Sequence, residues 1–261
     1  MKKYALIAGV SDYSLVNNLI NLPGSKNDII NIKHILSTFY KFDVILSLLN
    51  ENATSDSIKA ELINFKNQLE TGDLLFFYYS GHGSQIREVK NSEEFDFLDE
   101  VLCLFDMDWK TKYISDDWFA NFAQSIPNEC AFEIVLDCCF SGDFSDDIST
   151  KFGIAPEYFE AEFDPTRKTI PVSFYTSLTK SNIVLWTASA SEQEAKQKPI
   201  NGISNSIFTY CLCESILESK NNFSRKDIFD NTCKKIKLNY GQQTPTLSIS
   251  DSLKLKHFLT F

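Results

Sequence analysis

Short, almost wholly apolar runs that alternate with amphipathic stretches constrain this chain most. Tyr4 to Val10, Phe42 to Leu49, Leu74 to Tyr79 and Phe132 to Leu136 are each bounded by polar or turn residues. Runs of that length without polar alternation suit strands of a parallel sheet covered on both faces. Between them, 28–39 carries Ile29, Ile32, Ile35 and Leu36, and 57–69 carries Ile58, Leu62, Phe65 and Leu69, at the spacing of one helix face. Strand alternating with helix implies right-handed crossovers and helices on both faces of the sheet. With 261 residues, 43% of them apolar, the chain can bury the core of a single α/β domain.

Further along, the pattern changes twice. Residues 84–117 are rich in Asp and Glu, interrupted by the apolar Val101 to Phe105, and read as a surface excursion with a short hairpin. Trp118 to Ala123 then reads as a helix that Ser115 or Asp116 can cap. From Ser141 to about Asn182 periodicity is lost and Gly142, Gly153, Pro156, Pro165 and Pro171 accumulate, the signature of a long connecting loop. Ile183 to Ala188 resumes as a strand, Ile207 to Leu217 and Ile228 to Leu238 as helices, and Thr246 to Ile249 as a last strand. Ser224 and Asp227 have the spacing of a capping box.

A net charge of −10 argues against a nucleic-acid partner, which needs a basic face. No apolar run approaches about 20 residues, so neither a membrane span nor a membrane partner is expected, and the N-terminal run lacks the features of a signal peptide. Seven cysteines, an odd number without framework spacing, fit a reducing compartment, and a cytoplasmic location is expected. Zinc is poorly supported, because neither Cys138-Cys139 nor Cys211-x-Cys213 has the two-residue gap. A flavodoxin-like nucleotide binder would need a glycine-rich phosphate loop after Val10, which is absent.

Three histidines are present, and position separates them. His34 lies in an amphipathic helix and His257 near the C-terminus, whereas His82 stands between two glycines directly after a strand, in Tyr-Ser-Gly-His-Gly. The next strand ends in Asp137-Cys138-Cys139-Phe140-Ser141-Gly142. Side chains at the carboxyl ends of parallel strands face the crevice where such sheets place their sites. Neighbouring strands lie roughly 4.8 Å apart, so a histidine and a cysteine there can meet as base and nucleophile. The backbone amides of Gly83 and Cys139 are the natural donors to an oxyanion. Asp137, a carboxylate ending an apolar strand, is costly to bury unpaired and awaits a cation.

These motifs resemble those of the metacaspases and the bacterial caspase-like peptidases. The resemblance covers nearly the whole chain: Leu22-Pro23-Gly24-Ser25-Lys26-Asn27-Asp28, the acidic Asp96 to Leu102, Ile114-Ser115-Asp116-Asp117, and Trp186 to Ser191 with Asn205 to Tyr210 all have counterparts. It implies a caspase-like (caspase-hemoglobinase) three-layer α/β sandwich around a mainly parallel six-stranded sheet. Residues 1–261 would form a single peptidase domain, with 1–150 like a large subunit, 151–182 connecting, and 183–261 like a small subunit. By position His82 matches the base and Cys139 the nucleophile; Cys138 falls on the family's usual serine and Phe140 on its usual histidine. Asp28 and Asp137, lined by Ser25 and Ser80, match an acidic pocket, which implies arginine or lysine before the cut in a peptide substrate. The chemistry needs no cofactor, but the resemblance implies calcium as an activator, held by Asp99, Asp116, Asp117 and Asp146. Lys151, Arg167 and Lys168 in the connecting segment would be sites of self-cleavage. A monomer is expected. Two competing readings are a non-catalytic scaffold that keeps the fold and an aspartate-directed protease, although the Gln-Ala-Cys-Arg-Gly motif of animal caspases is absent.

Overall fold

The computed structural model describes residues 1–87, 98–140, 151, 180–190, 193, 195–220, 222–241 and 243–260. Six strands form the central sheet: β1 (Lys3–Gly9), β2 (Val44–Leu49), β3 (Leu74–Ser80), β7 (Ala131–Asp137), β8 (Ile183–Thr187) and β11 (Thr246–Ser248), in the order β11-β8-β7-β3-β1-β2. All neighbours are parallel except β11 with β8. The mainly parallel six-stranded sheet that the resemblance implies is therefore present, and the four apolar runs supply four of its parallel strands.

Period-two alternation sends each strand's side chains to two separate cores. On one face Leu6, Leu75, Phe77, Ile134 and Leu136 pack with Ile58, Leu62 and Phe65 of α2 (Ser55–Lys66) and Phe119 and Phe122 of α3 (Asp116–Gln124). On the other, Ile7, Phe76, Tyr78, Val135 and Trp186 meet Ile29, Ile32 and Ile35 of α1 (Pro23–Thr38), Phe208 and Leu212 of α4 (Ile207–Ser219), and Ile228 and Ile236 of α5 (Arg225–Asn239). Each such side chain, fully buried, contributes about 1.5–3 kcal/mol. Through that second core runs a buried ion pair: Arg225 Nε and Nη2 grip Glu133 at 2.6–3.1 Å, and Trp186 Nε1 donates to Glu133 at 2.8 Å.

Local signals explain most boundaries. Thr54 caps α2 and Ser115 caps α3 by accepting from the amide three residues on, and Ser224 with Asp227 forms the expected capping box on α5. Two expectations need correction. α1 begins at Pro23, five residues before the expected start, because proline is pre-organised for a helix's first position. The excursion is more than one hairpin: β4 (His82–Arg87), β5 (Leu98–Cys103) and β6 (Ile114–Ser115) make a separate antiparallel sheet. A further hairpin, β9 (Gln197–Ile200) and β10 (Ile203–Ser206), precedes α4, and a short helix α6 (Asp251–Lys254) follows β11. Among the described residues no helix is long and apolar enough to cross a membrane.

Candidate active site

Register brings the two candidate reactive residues to one level. Ser80 of β3 lies opposite Asp137 of β7, so His82 and Cys139, each two residues further on, leave adjacent strands side by side. The backbone of Gly83, directly after His82, is in close contact with that of Cys139: a Cβ on Gly83 would lie 2.4 Å from the Cys139 carbonyl oxygen. Cys139 is 1% exposed, and its Sγ points to the Ala195 carbonyl at 3.9 Å. Cys138 faces the opposite core, where burial pushes its thiol well above the ordinary range. All seven cysteines are thiols rather than disulfides.

His82 is held from several sides. Its backbone N–H donates to the Tyr13 hydroxyl at 2.9 Å, its carbonyl accepts from Tyr79 Oη at 2.9 Å, and both tyrosines also donate to the Cys103 carbonyl. Those hydroxyls explain Gly81, where a Cβ would come within 2.3 Å of one and 2.7 Å of the other. The Tyr13 ring packs edge-on against the imidazole at 4.7 Å. The Ile20 carbonyl, 2.8 Å from Nε2, can only accept, which puts the ring proton on Nε2 and leaves Nδ1 as the basic nitrogen. Nδ1 has no hydrogen-bond partner among the described residues. Burial lowers the imidazole to about 4, although the backbones of Ile20 and Lys151 pull the other way, so the ring is neutral at pH 7.

Asp28, Ser80 and Asp137 converge on the face of the sheet covered by α1 and α4. Alternation along β3 and β7 aims Ser80 and Asp137 there, and Asp28 projects from α1. All three are fully buried. Asp137 Oδ2 accepts from the Thr209 amide at 3.1 Å and its hydroxyl at 2.5 Å. Asp28 accepts from the Ser206 amide at 3.1 Å, the Ser206 hydroxyl, and Ser80 Oγ at 2.8 Å. Both carboxylates thus lie at the N-terminus of α4, whose unpaired amides and dipole favour anions. Burial nevertheless raises Asp28 to about 6, helped by the charge on Asp137 and opposed by Lys151. Ser25, one turn before Asp28 on α1, is buried with no partner for its hydroxyl among the described residues.

The pocket holds a cation of the chain itself. Lys151, fully buried, places Nζ 2.9 Å from Asp137 Oδ1, 2.8 Å from the Asp137 carbonyl, 2.9 Å from Ser80 Oγ and 3.8 Å from Asp28 Oδ2. Its carbonyl accepts from the Gly83 amide at 3.0 Å, and its own amide donates to the Ala195 carbonyl at 3.1 Å.

The expected calcium ligands gather only in part. Asp116 is pushed up to about 8 by burial and by the charges of Glu100, Asp99 and Asp117. The donors are hard oxygens of the kind calcium takes. Among the described residues, however, no three acids, histidines or cysteines are arranged to hold a metal ion. Asp146, Arg167 and Lys168 lie outside the described residues.

Residues 2–256 match the model of the caspase domain. The chain belongs to the caspase domain family. Within that family of cysteine peptidases, this caspase domain is of the metacaspase type: it is 34% identical to metacaspase-9 of Arabidopsis thaliana over 65% of its own length and 53% of that relative's. It is 31% identical to metacaspase-1 of the same plant over 56% and 41%. The chain thus spans about half the length of the curated relatives it matches. In fold it is similar to a crystallised protein of Geobacter sulfurreducens, with a TM-score of 0.76, 21% identity and coverage of 100% and 99% of the two chains. Caspase-1 of Spodoptera frugiperda superposes with a TM-score of 0.59 at 15% identity, over 95% and 88%.

Sequence reasoning reached His82, Cys139, Gly83, Asp28, Asp137, Ser80 and Ser25 but missed Tyr13, Ile20, Ala195, Ser206 and Thr209. Their contributions are hydroxyls and backbone groups brought in from distant parts of the chain, for which no local motif exists.

Proposed function

We propose that this caspase domain is a cysteine endopeptidase that cuts after lysine or arginine, with Cys139 as nucleophile and His82 as base. The observation that carries the reading is the pair of buried carboxylates, Asp28 and Asp137, fixed by α4 and converging on a lysine ammonium. Paired carboxylates suit an ammonium or a guanidinium. An aspartate side chain there would add a third negative charge, which weighs against an aspartate-directed enzyme.

In the proposed reaction, neutral His82 takes the Cys139 thiol proton on Nδ1, and the thiolate attacks the substrate carbonyl. The amides of Gly83 and Cys139 receive the developing oxyanion. The imidazolium gives its proton to the departing amine as the C–N bond breaks, leaving a thioester. Water, losing a proton to His82, then attacks the thioester, the C–S bond breaks, and the thiol is restored with the peptide acid. Ile20 and Tyr13 keep the imidazole oriented throughout. Calcium enters no step.

Fluorogenic peptides ending in Arg, Lys or Asp test the reading, with the wild type beside Cys139→Ala. Cleavage after Arg and Lys that disappears in the variant is expected, and paired calcium and chelator arms read any activation by the ion. Cleavage after Asp would overturn the specificity. A chain that neither turns over any peptide nor reacts with a thiol-directed probe would instead be a scaffold.

A further inference from the structure

We infer that Tyr79 is a positioning residue for the oxyanion: its hydroxyl grips the carbonyl end of the amide whose N–H is that of Gly83, and so aims and strengthens that donor. The inference rests on the reaction proposed above. The His82 carbonyl and the Gly83 N–H belong to one planar amide. Tyr79 Oη donates to that carbonyl at 2.9 Å, and the N–H at the far end holds a peptide carbonyl, that of Lys151, at 3.0 Å. Fixing one end of a rigid amide fixes the direction of the other, and a hydrogen bond to its oxygen polarises its N–H.

Packing alone does not call for this hydroxyl. The Tyr79 ring lies in the same core as Phe77 and Phe132, which a phenylalanine would fill as well, whereas the hydroxyl is fully buried and admits only glycine at position 81. The proton balance points the same way. Tyr79 Oη lies 2.9 Å from the His82 carbonyl and 2.6 Å from the Cys103 carbonyl but has one proton to give. The Tyr13 hydroxyl, which accepts from the His82 N–H, donates to the Cys103 carbonyl at 2.9 Å, so that oxygen stays satisfied when Tyr79 turns to His82. As negative charge builds on the substrate oxygen, the amide polarises further and draws the Tyr79 proton towards the His82 carbonyl. The bond is therefore stronger in the transition state than before it, which is what accelerates a reaction. Burial keeps the phenol protonated by raising it well above its ordinary range.

Tyr79→Phe in the full chain tests this, with an arginine peptide, the matching peptide aldehyde and iodoacetamide as probes. Adding Cys139 to the aldehyde forms a C–S bond, passes the thiol proton to His82 and leaves an oxyanion on the former carbonyl; alkylation forms a C–S bond, expels iodide and makes no oxyanion. In the variant kcat should fall about tenfold, a part of the 100- to 1,000-fold that a whole donor is worth, with KM within about twofold. Aldehyde affinity should fall by the same factor. Alkylation at Cys139, read by mass spectrometry against Cys139→Ala, should stay within about twofold of wild type, since it needs only the thiolate. Alkylation and aldehyde affinity falling together would overturn the inference, because Tyr79 would then only hold His82 in place; an unchanged kcat would overturn it too. Because Tyr79→Phe takes a donor from two buried carbonyls, 3-fluorotyrosine in place of Tyr79 carries the test if that variant does not fold. It keeps the shape and donates more strongly, so the aldehyde should bind tighter than to wild type, and equal or weaker binding counts against the inference. Wild type that cleaves basic peptides while Tyr79→Phe matches it sinks this inference alone; wild type that cleaves none sinks the proposed reaction and the inference with it.

Discussion

Replacing Gly83 with alanine tests whether the contact between β4 and the segment after β7 sets the catalytic geometry. Gly83 does not have the positive φ found at Gly72, Gly202 and Gly241, so alanine meets no backbone penalty there and the effect is one of space. The new methyl would lie 2.4 Å from the Cys139 carbonyl oxygen and 3.1 Å from its carbonyl carbon, against about 3.3 Å for an ordinary close carbon–oxygen contact. Both partners are backbone, so close to 1 Å must be taken up by moving His82 and Gly83 away from Cys139. A displacement of about 1 Å costs on the order of 100-fold in rate, and loss of one oxyanion donor costs about 100- to 1,000-fold. Overpacking of this kind lowers stability by about 1–3 kcal/mol, which a domain of this size survives. We therefore expect Gly83→Ala to melt cooperatively a few degrees below wild type, with kcat on an arginine peptide down about 100-fold and KM changed far less. A folded variant whose kcat stays within about threefold of wild type would refute the reasoning.

Three further outcomes follow from buried groups. His82 falls from 6.5 to about 4 through burial, so the unfolded chain binds a proton that the native one refuses. This stability is complete above pH 6.5 and is lost as pH falls towards 4, on the order of 3 kcal/mol in all. Urea midpoints between pH 7.5 and 4.5 should accordingly fall more steeply for wild type than for His82→Gln, and parallel curves would contradict it. Glu133→Gln leaves Arg225 buried and uncompensated, and urea unfolding should show a loss of about 3–5 kcal/mol; a loss below about 1 kcal/mol would mean water reaches the pair. Thr209→Val removes the 2.5 Å hydroxyl donor to Asp137, so stability should fall by about 2 kcal/mol together with kcat/KM for basic peptides. An unchanged kcat/KM would separate Asp137 from substrate binding.

The parallel part of the central sheet was legible because its strands are short, mostly apolar runs, and the candidate dyad because His82 and Cys139 follow two such runs at the same offset. Helix α1 was read late: its early turns contain Gly24, Ser25 and Lys26, which break the apolar periodicity, although Pro23 marked its start. The β9–β10 hairpin escaped despite a signal, since Asn201-Gly202 is the dipeptide of a type I′ turn and both residues have positive φ. Lys151 stood in a segment without periodicity, as one of three basic residues considered for self-cleavage. Only the three-dimensional arrangement singles it out, because each of its partners is remote or belongs to the backbone. The same holds for Ser206 and Thr209, whose bonds to Asp28 and Asp137 span 178 and 72 positions.

Those two long-range bonds divide the pocket unevenly along the chain. Both acids precede residue 151, while the Ser206 and Thr209 donors that orient them belong to the part after it. The β7–β8 ladder joins the same two parts. Supplied as two separate polypeptides, they would each carry half of the acidic pocket and no complete one. Bringing them together would restore charge recognition and chemistry in one event, which makes the connecting segment a natural seam for a split enzyme whose output reports association.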